Sequence, residues 1–115
     1  MQLADLIERE AAAFRTACLG GEAERAWAAL ERMHILSQPF VWPHVRVHLL
    51  MLWYALKLRD WREARGQAMR LVLAPIGNLS GRLPIGNTGR SDVSAFDPMP
   101  IPDDLRNEIT LAKMR

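Results

Sequence analysis

The stretch EAERAWAALERMHILSQPFVWPHVRVHLLMLWYAL, Glu22 to Leu56, decides how this chain folds. Ala26, Trp27, Leu30, Met33 and Leu36 recur at the three- and four-residue spacing of one helix face. The pattern stops before Pro39, a residue that cannot continue a helix. Pro43 then suits the first turn of a new helix, which reads apolar almost all round from Val45 to Leu56. This is the expected central and most buried helix. Ser37 to Trp42 is short enough to set the two helices side by side and antiparallel.

Working outward, Leu3, Leu6, Ile7, Phe14 and Cys18 describe an earlier helix that Gly20 and Gly21 bring to a stop. Asp60, with Glu63 three residues on, is a capping box for a fourth helix ending near Pro75. Residues 75–102 hold five of the seven prolines and four of the seven glycines, so a Pro/Gly-rich loop is expected there. Within it PIGNLSGR (75–82) is echoed by PIGNTGR (84–90), and PDDLRNEITLAKM reads as a short closing helix. The expected fold is all-α: one domain, 1–115, made of two antiparallel helical hairpins with the loop and closing helix folded over one end. The segments Glu22–Pro39 and Asp60–Pro75 also superimpose, pairing Ala26 with Ala64, Leu30 with Ala68 and Met33 with Leu71. That spacing of small residues loosely resembles tetratricopeptide hairpins, although their period of about 34 residues is stretched here. The Trp and Gly usual in the first helix of such a hairpin are missing.

A chain of 115 residues can close a hydrophobic core without a metal or disulfide staple. Half the residues are hydrophobic and 24% charged, with 15 Lys and Arg against 13 Asp and Glu for a net +2. The basic residues are scattered, so nucleic acid is not an expected partner. Cys18 is the only cysteine, which excludes an internal disulfide and suits a reducing, cytoplasmic setting. The opening MQLADLIERE lacks the basic and apolar regions of a signal peptide, and VHLLMLWYAL is too short to span a bilayer.

All three histidines fall between residues 34 and 48. Glu31 and His34 share a face of the second helix, and His44 and His48 share a face of the third. The bend sets His34 against His44, with Glu31 and His48 each about a turn behind it. Three neutral imidazoles and a carboxylate make a divalent-metal site suited above all to Zn²⁺. The competing reading has His34 stabilised by the helix dipole, His44 capping the bend and His48 hydrogen-bonded in the core. Glu63 and Gln67, four apart on the fourth helix, are candidates to support the ligands from behind. Gly86, Asn87, Thr88, Gly89 and Arg90 form a candidate anion-binding turn. Trp27, Trp42, Trp53 and Trp61 are expected as packing anchors and Cys18 as a small buried hydrophobe.

At LERMHILSQPFVWPHVRVHLLML and PIGNTGRSDVSAFDPMPIPDDL the chain resembles a bacterial family of unknown function, family 3703, over nearly its whole length. That pattern carries Arg-Ala-His-Leu-Gly-Gln-like residues on the second helix and Trp-Pro-His with a second His four on. Its tail reads Gly-Asn-Thr-Gly-Gly-Ala-Asn-Val-Ser. Glu31, Arg32, His34, Gln38, Trp42, Pro43, His44 and His48 match, as do Gly86, Asn87, Thr88, Gly89, Val93 and Ser94. Met33, Ser37, Arg90, Ser91 and Asp92 depart from it, sparing the histidines but placing charges in the tail turn. The resemblance implies an accessory role beside heavy-metal transport and resistance.

The expected function is therefore divalent-metal binding at Glu31, His34, His44 and His48, with Zn²⁺ foremost and an enzymatic role not favoured. One alternative is a metal-free interaction module that binds another protein in its helical groove. Another is a metalloenzyme acting on a small anionic substrate held by the Gly86–Arg90 turn.

Overall fold

The computed structural model describes residues 2–81 and 83–113, and among these the secondary structure is helical. Helices α1 (Leu3–Leu19) and α2 (Ala23–Ser37) form one antiparallel hairpin, and α3 (Val41–Lys57) and α4 (Trp61–Ser80) form the other. Helix α5 (Asp103–Lys113) closes against α1. The all-α architecture is the expected one. No helix among the described residues is long and apolar enough to cross a membrane.

The hairpins close for local reasons. Gly21 turns the chain between α1 and α2 at φ +69, and the Asp60 side chain accepts the Glu63 amide at the start of α4, 3.1 Å away. Helices α1 and α2 pack on each other, and Ala26 and Ala29 of α2 are buried in the same core as Leu6, Ala11 and Phe14 of α1. Tyr54 of α3 locks the hairpins together, its ring edge-on to Phe14 at 5.4 Å and to Trp27 at 5.2 Å. Leu105 carries α5 into the same core, and Arg32 fastens it by pairing with Glu10 at 3.2 Å and Asp104 at 3.1 Å.

Four expectations change. Helix α2, not α3, is the most buried: nine of its fifteen residues are inside, against six of seventeen in α3. Apolar all round therefore does not mean central here, because Leu49, Trp53 and Leu56 of α3 face outward. Of the four tryptophans Trp27 is buried and Trp53, though 50% exposed, packs on Phe14 and Tyr54 with ring centroids 6.4 Å away, whereas Trp42 and Trp61 are 77% and 60% exposed. Cys18 is only partly buried, at the edge of the core.

The fourth change matters most to the site. Helix α4 does not end near Pro75 but runs through it to Ser80, so 75–80 belong to the helix and not to the loop. Proline removes one backbone donor, yet the buried stripe Glu63, Gln67, Arg70 and Ala74 keeps its register to Asn78. The stop comes at Gly81, in the left-handed conformation at φ +73. The small-residue repeat is only partly mirrored in packing, for Leu30 and Met33 are fully buried while Ala68 is exposed and Leu71 half-buried.

Because Leu30 is fully enclosed, Leu30→Ala should lower the unfolding free energy by about 2 to 5 kcal/mol. Leu79→Ala, at a position 86% exposed, should change it by less than about 0.5 kcal/mol. Urea denaturation of the two variants compares these directly.

Candidate metal centre

The bend between α2 and α3 is fixed by backbone bonds from Phe40 N to Ser37 O and from His44 N to Phe40 O, each 2.9 Å. It brings His34, His44 and His48 into one buried cluster, with ring centroids 4.8 to 5.0 Å apart. One ring nitrogen from each lies within 4.8 Å of the others. For His34 and His44 these are the Nε2 atoms, 3.2 Å apart.

The opposite nitrogen of every ring is held by an amide oxygen. His34 Nδ1 meets the backbone carbonyl of Asn87 at 2.7 Å, His44 Nδ1 meets Asn78 Oδ1 at 2.8 Å, and His48 Nδ1 meets Gln67 Oε1 at 2.7 Å. The two side-chain amides have no freedom to flip. Asn78 donates its NH₂ to Gln38 O, 2.9 Å away, and Gln67 donates its own to Glu63 Oε2 and Gly89 O, both 2.8 Å away. An amide oxygen can only accept, so each Nδ1 must donate its hydrogen and each Nε2 keeps a bare lone pair. At 3.2 Å the lone pairs of His34 and His44 then face one another with no proton between them. That arrangement is repulsive unless a cation sits there. Two nitrogens on one tetrahedral Zn²⁺ lie about 3.3 Å apart, given bonds of about 2.0 to 2.1 Å.

A proton is a poor candidate for that cation. Burial pushes His34 well below the ordinary imidazole range, aided by the neighbouring His48 and His44. Burial likewise lowers His44 and takes His48 down to about 4. All three rings are neutral at neutral pH, the state a metal requires.

The other sequence candidates take distinct places. Glu31 is not in the cluster; it is half-buried and faces Arg90 Nη1 at 3.5 Å. Gln67 stands directly behind His48, and Glu63 stands behind Gln67. Burial alone would raise the Glu63 carboxyl, but bonds from Gln67, from the amide of Ser91 and from Arg90 hold it low and ionised. The Arg90 guanidinium lies 3.8 Å from the centroid of the Trp27 ring, so it is clamped between an aromatic face and the carboxylates.

Within the Gly86–Arg90 turn two amides are engaged by the turn's own side chains, Gly89 N by Asn87 Oδ1 at 2.9 Å and Arg90 N by Thr88 Oγ1 at 3.4 Å. The turn offers carbonyls to the cluster, Asn87 O to His34 and Gly89 O to Gln67. Asn87 holds this shape by donating to Ser94 O and Asp97 O at 2.8 and 2.7 Å.

Sequence reasoning missed Asn78, the Asn87 carbonyl, Gln38 and Arg70. A signal existed for two of them: Asn78 and Arg70 continue the helical stripe begun by Glu63 and Gln67, once Pro75 is allowed inside the helix. The cluster opens on one side into a cavity of about 300 Å³ walled by Leu73, Ile76, Leu83 and Phe96, with Arg70 also at its edge.

Together the fold and the site define a small all-α protein with three buried histidines that can hold a metal ion. The chain matches the family described as "Protein of unknown function (DUF3703)" over residues 1–109 and belongs to it. No curated protein and no solved structure matches it.

Two outcomes follow from the geometry. In the unfolded chain histidine titrates near 6.5, whereas His48 takes its proton only near 4 in the folded protein. Between those values the unfolded state binds the extra proton, so the stability of metal-free protein should be full above pH 6.5 and decline as the pH falls toward 4. Urea midpoints across that window should fall steadily, and less steeply in His48→Gln. Gly89 is at φ +82, and a Cβ there would meet the His34 ring at 2.6 to 2.9 Å. Gly21, at φ +69 with open space around it, isolates the backbone cost alone. Gly89→Ala should therefore cost about 1 to 3 kcal/mol and exceed Gly21→Ala in thermal melts.

Proposed function

We propose that the protein binds one divalent transition-metal ion through Nε2 of His34, His44 and His48, with Zn²⁺ the best match to three neutral imidazoles. The observation that carries this reading is the set of three Nδ1–H groups, each committed to an amide oxygen, with bare nitrogens left converging. Outer hydrogen bonds of this kind orient ligating histidines and raise their basicity. Glu31 is better placed to steady Arg90 than to coordinate the ion. Three protein ligands leave a fourth position free, and the cavity is the way to it. No carboxylate is present among the described residues lining that cavity to serve as a general base, so carriage or sensing suits the site better than hydrolysis.

Elemental analysis of protein purified without a histidine tag should return one transition-metal ion per chain. Replacing both His44 and His48 by alanine should abolish that ion, and Asn78→Leu should weaken binding by about 10- to 100-fold. Unchanged affinity in the double histidine variant would sink the assignment.

A second reading has one specific observation in its favour. Trp42, Trp53 and Trp61, with Leu49, Met69 and Val72, leave large apolar side chains exposed on the second hairpin, as a surface that docks another protein would. Such a module would melt at the same temperature with and without EDTA, whereas the metal centre predicts a lower melting temperature in the chelator.

A further inference from the structure

Arg70 is unusual among the residues around the cluster. It lies on the buried stripe of α4 and is only 6% exposed. Its Nη2 donates to Val93 O at 2.6 Å and its Nη1 makes a long contact with Gly66 O at 3.4 Å, but its buried Nε has no hydrogen-bond partner. A buried guanidinium N–H left unpaired is costly, and native proteins rarely leave one so without a use. Arg70 lines the same cavity as the three histidines.

Charge leads to the same place. A divalent ion on three neutral imidazoles brings +2 into the interior, and Arg70 adds +1 beside it. Glu63, the buried carboxylate of this region, is already engaged by Gln67, Ser91 and Arg90. Buried positive charge in such excess calls for an anion at the remaining coordination position. The cavity also limits what the rest of that anion can be. Its wall is mainly apolar, with Leu73, Ile76, Leu83 and Phe96 outweighing Gln38, Ser80 and Asn87, and about 300 Å³ is at the small end of ligand pockets.

Building on the metal reading, we propose that the cavity binds a small carboxylate with a short apolar substituent. One carboxylate oxygen takes the open position on the metal, the Arg70 guanidinium donates a hydrogen bond to the other, and the substituent lies against Leu73, Ile76 and Phe96. No bond within the ligand is made or broken.

The test uses the full chain loaded with one Co²⁺, whose visible absorption reports its coordination. Titration with butanoate should change the spectrum saturably, at a concentration at least tenfold lower than acetate requires, and the neutral butanamide should have no effect. Arg70→Met should weaken the butanoate response at least tenfold. Arg70→Lys, which retains the charge and is the safer variant for folding, should weaken it several-fold. A loaded protein whose spectrum ignores every carboxylate would overturn the proposal and leave the metal centre standing, as would equal responses in wild type and Arg70→Lys. Inorganic phosphate binding more tightly than butanoate would overturn the apolar part of the assignment. Failure to take up Co²⁺ at all would remove the three-histidine centre and the carboxylate site with it.

Discussion

Three hydrogen bonds from imidazole Nδ1–H groups to amide oxygens hold the second half of this molecule in order. They tie α2 to the loop through His34 and Asn87, and α3 to α4 at two levels through His44 with Asn78 and His48 with Gln67. Each acceptor is itself held, Asn78 by its bond to Gln38 O and Gln67 by Glu63 and Gly89 O. Buried polar networks of this kind are stabilising only when every member is satisfied. Here the satisfied side of each ring dictates the unsatisfied side, and three lone pairs are left turned inward.

The network extends away from the histidines as a relay of charge. Glu63 binds Gln67, the Ser91 amide and Arg90; Arg90 rests on Trp27; and Trp27 packs on Tyr54 in the joint between the hairpins. The polar site and the apolar core thus share a boundary at one aromatic ring. Arg90 links the loop to α2 through Glu31 and to α4 through Glu63.

Much of this could be read from residue spacing. Five helices and their pairing follow from apolar periodicity, from Gly20, Gly21 and Asp60, and from the two prolines around the bend. The approach of His34 to His44 follows from the same bend. What could not be read was governed by tertiary contacts that override local preference. Pro75 argues for a stop, yet the buried stripe of α4 carries the helix past it and delivers Asn78. Glu31 has the right spacing for a ligand, but Arg90 claims it from a segment 59 residues away. The exposure of Trp42, Trp53 and Trp61 depends on which face of each helix finds a neighbour, and composition does not say.

The acceptor behind His34 is a backbone carbonyl, and that sets it apart from its two counterparts. Asn78 and Gln67 can each be removed by changing one side chain, but no substitution at position 87 deletes the carbonyl oxygen of that residue. Selection can act on this part of the centre only through the shape of the loop: the left-handed glycines at 86 and 89, and the Asn87 side chain that ties the turn to Ser94 and Asp97. The loop is thus an outer wall of the centre written in conformation, and its requirement for glycine and asparagine reflects contacts that shape the turn, the space a Cβ at 89 would take from the His34 ring and the bonds that Asn87 makes to Ser94 and Asp97.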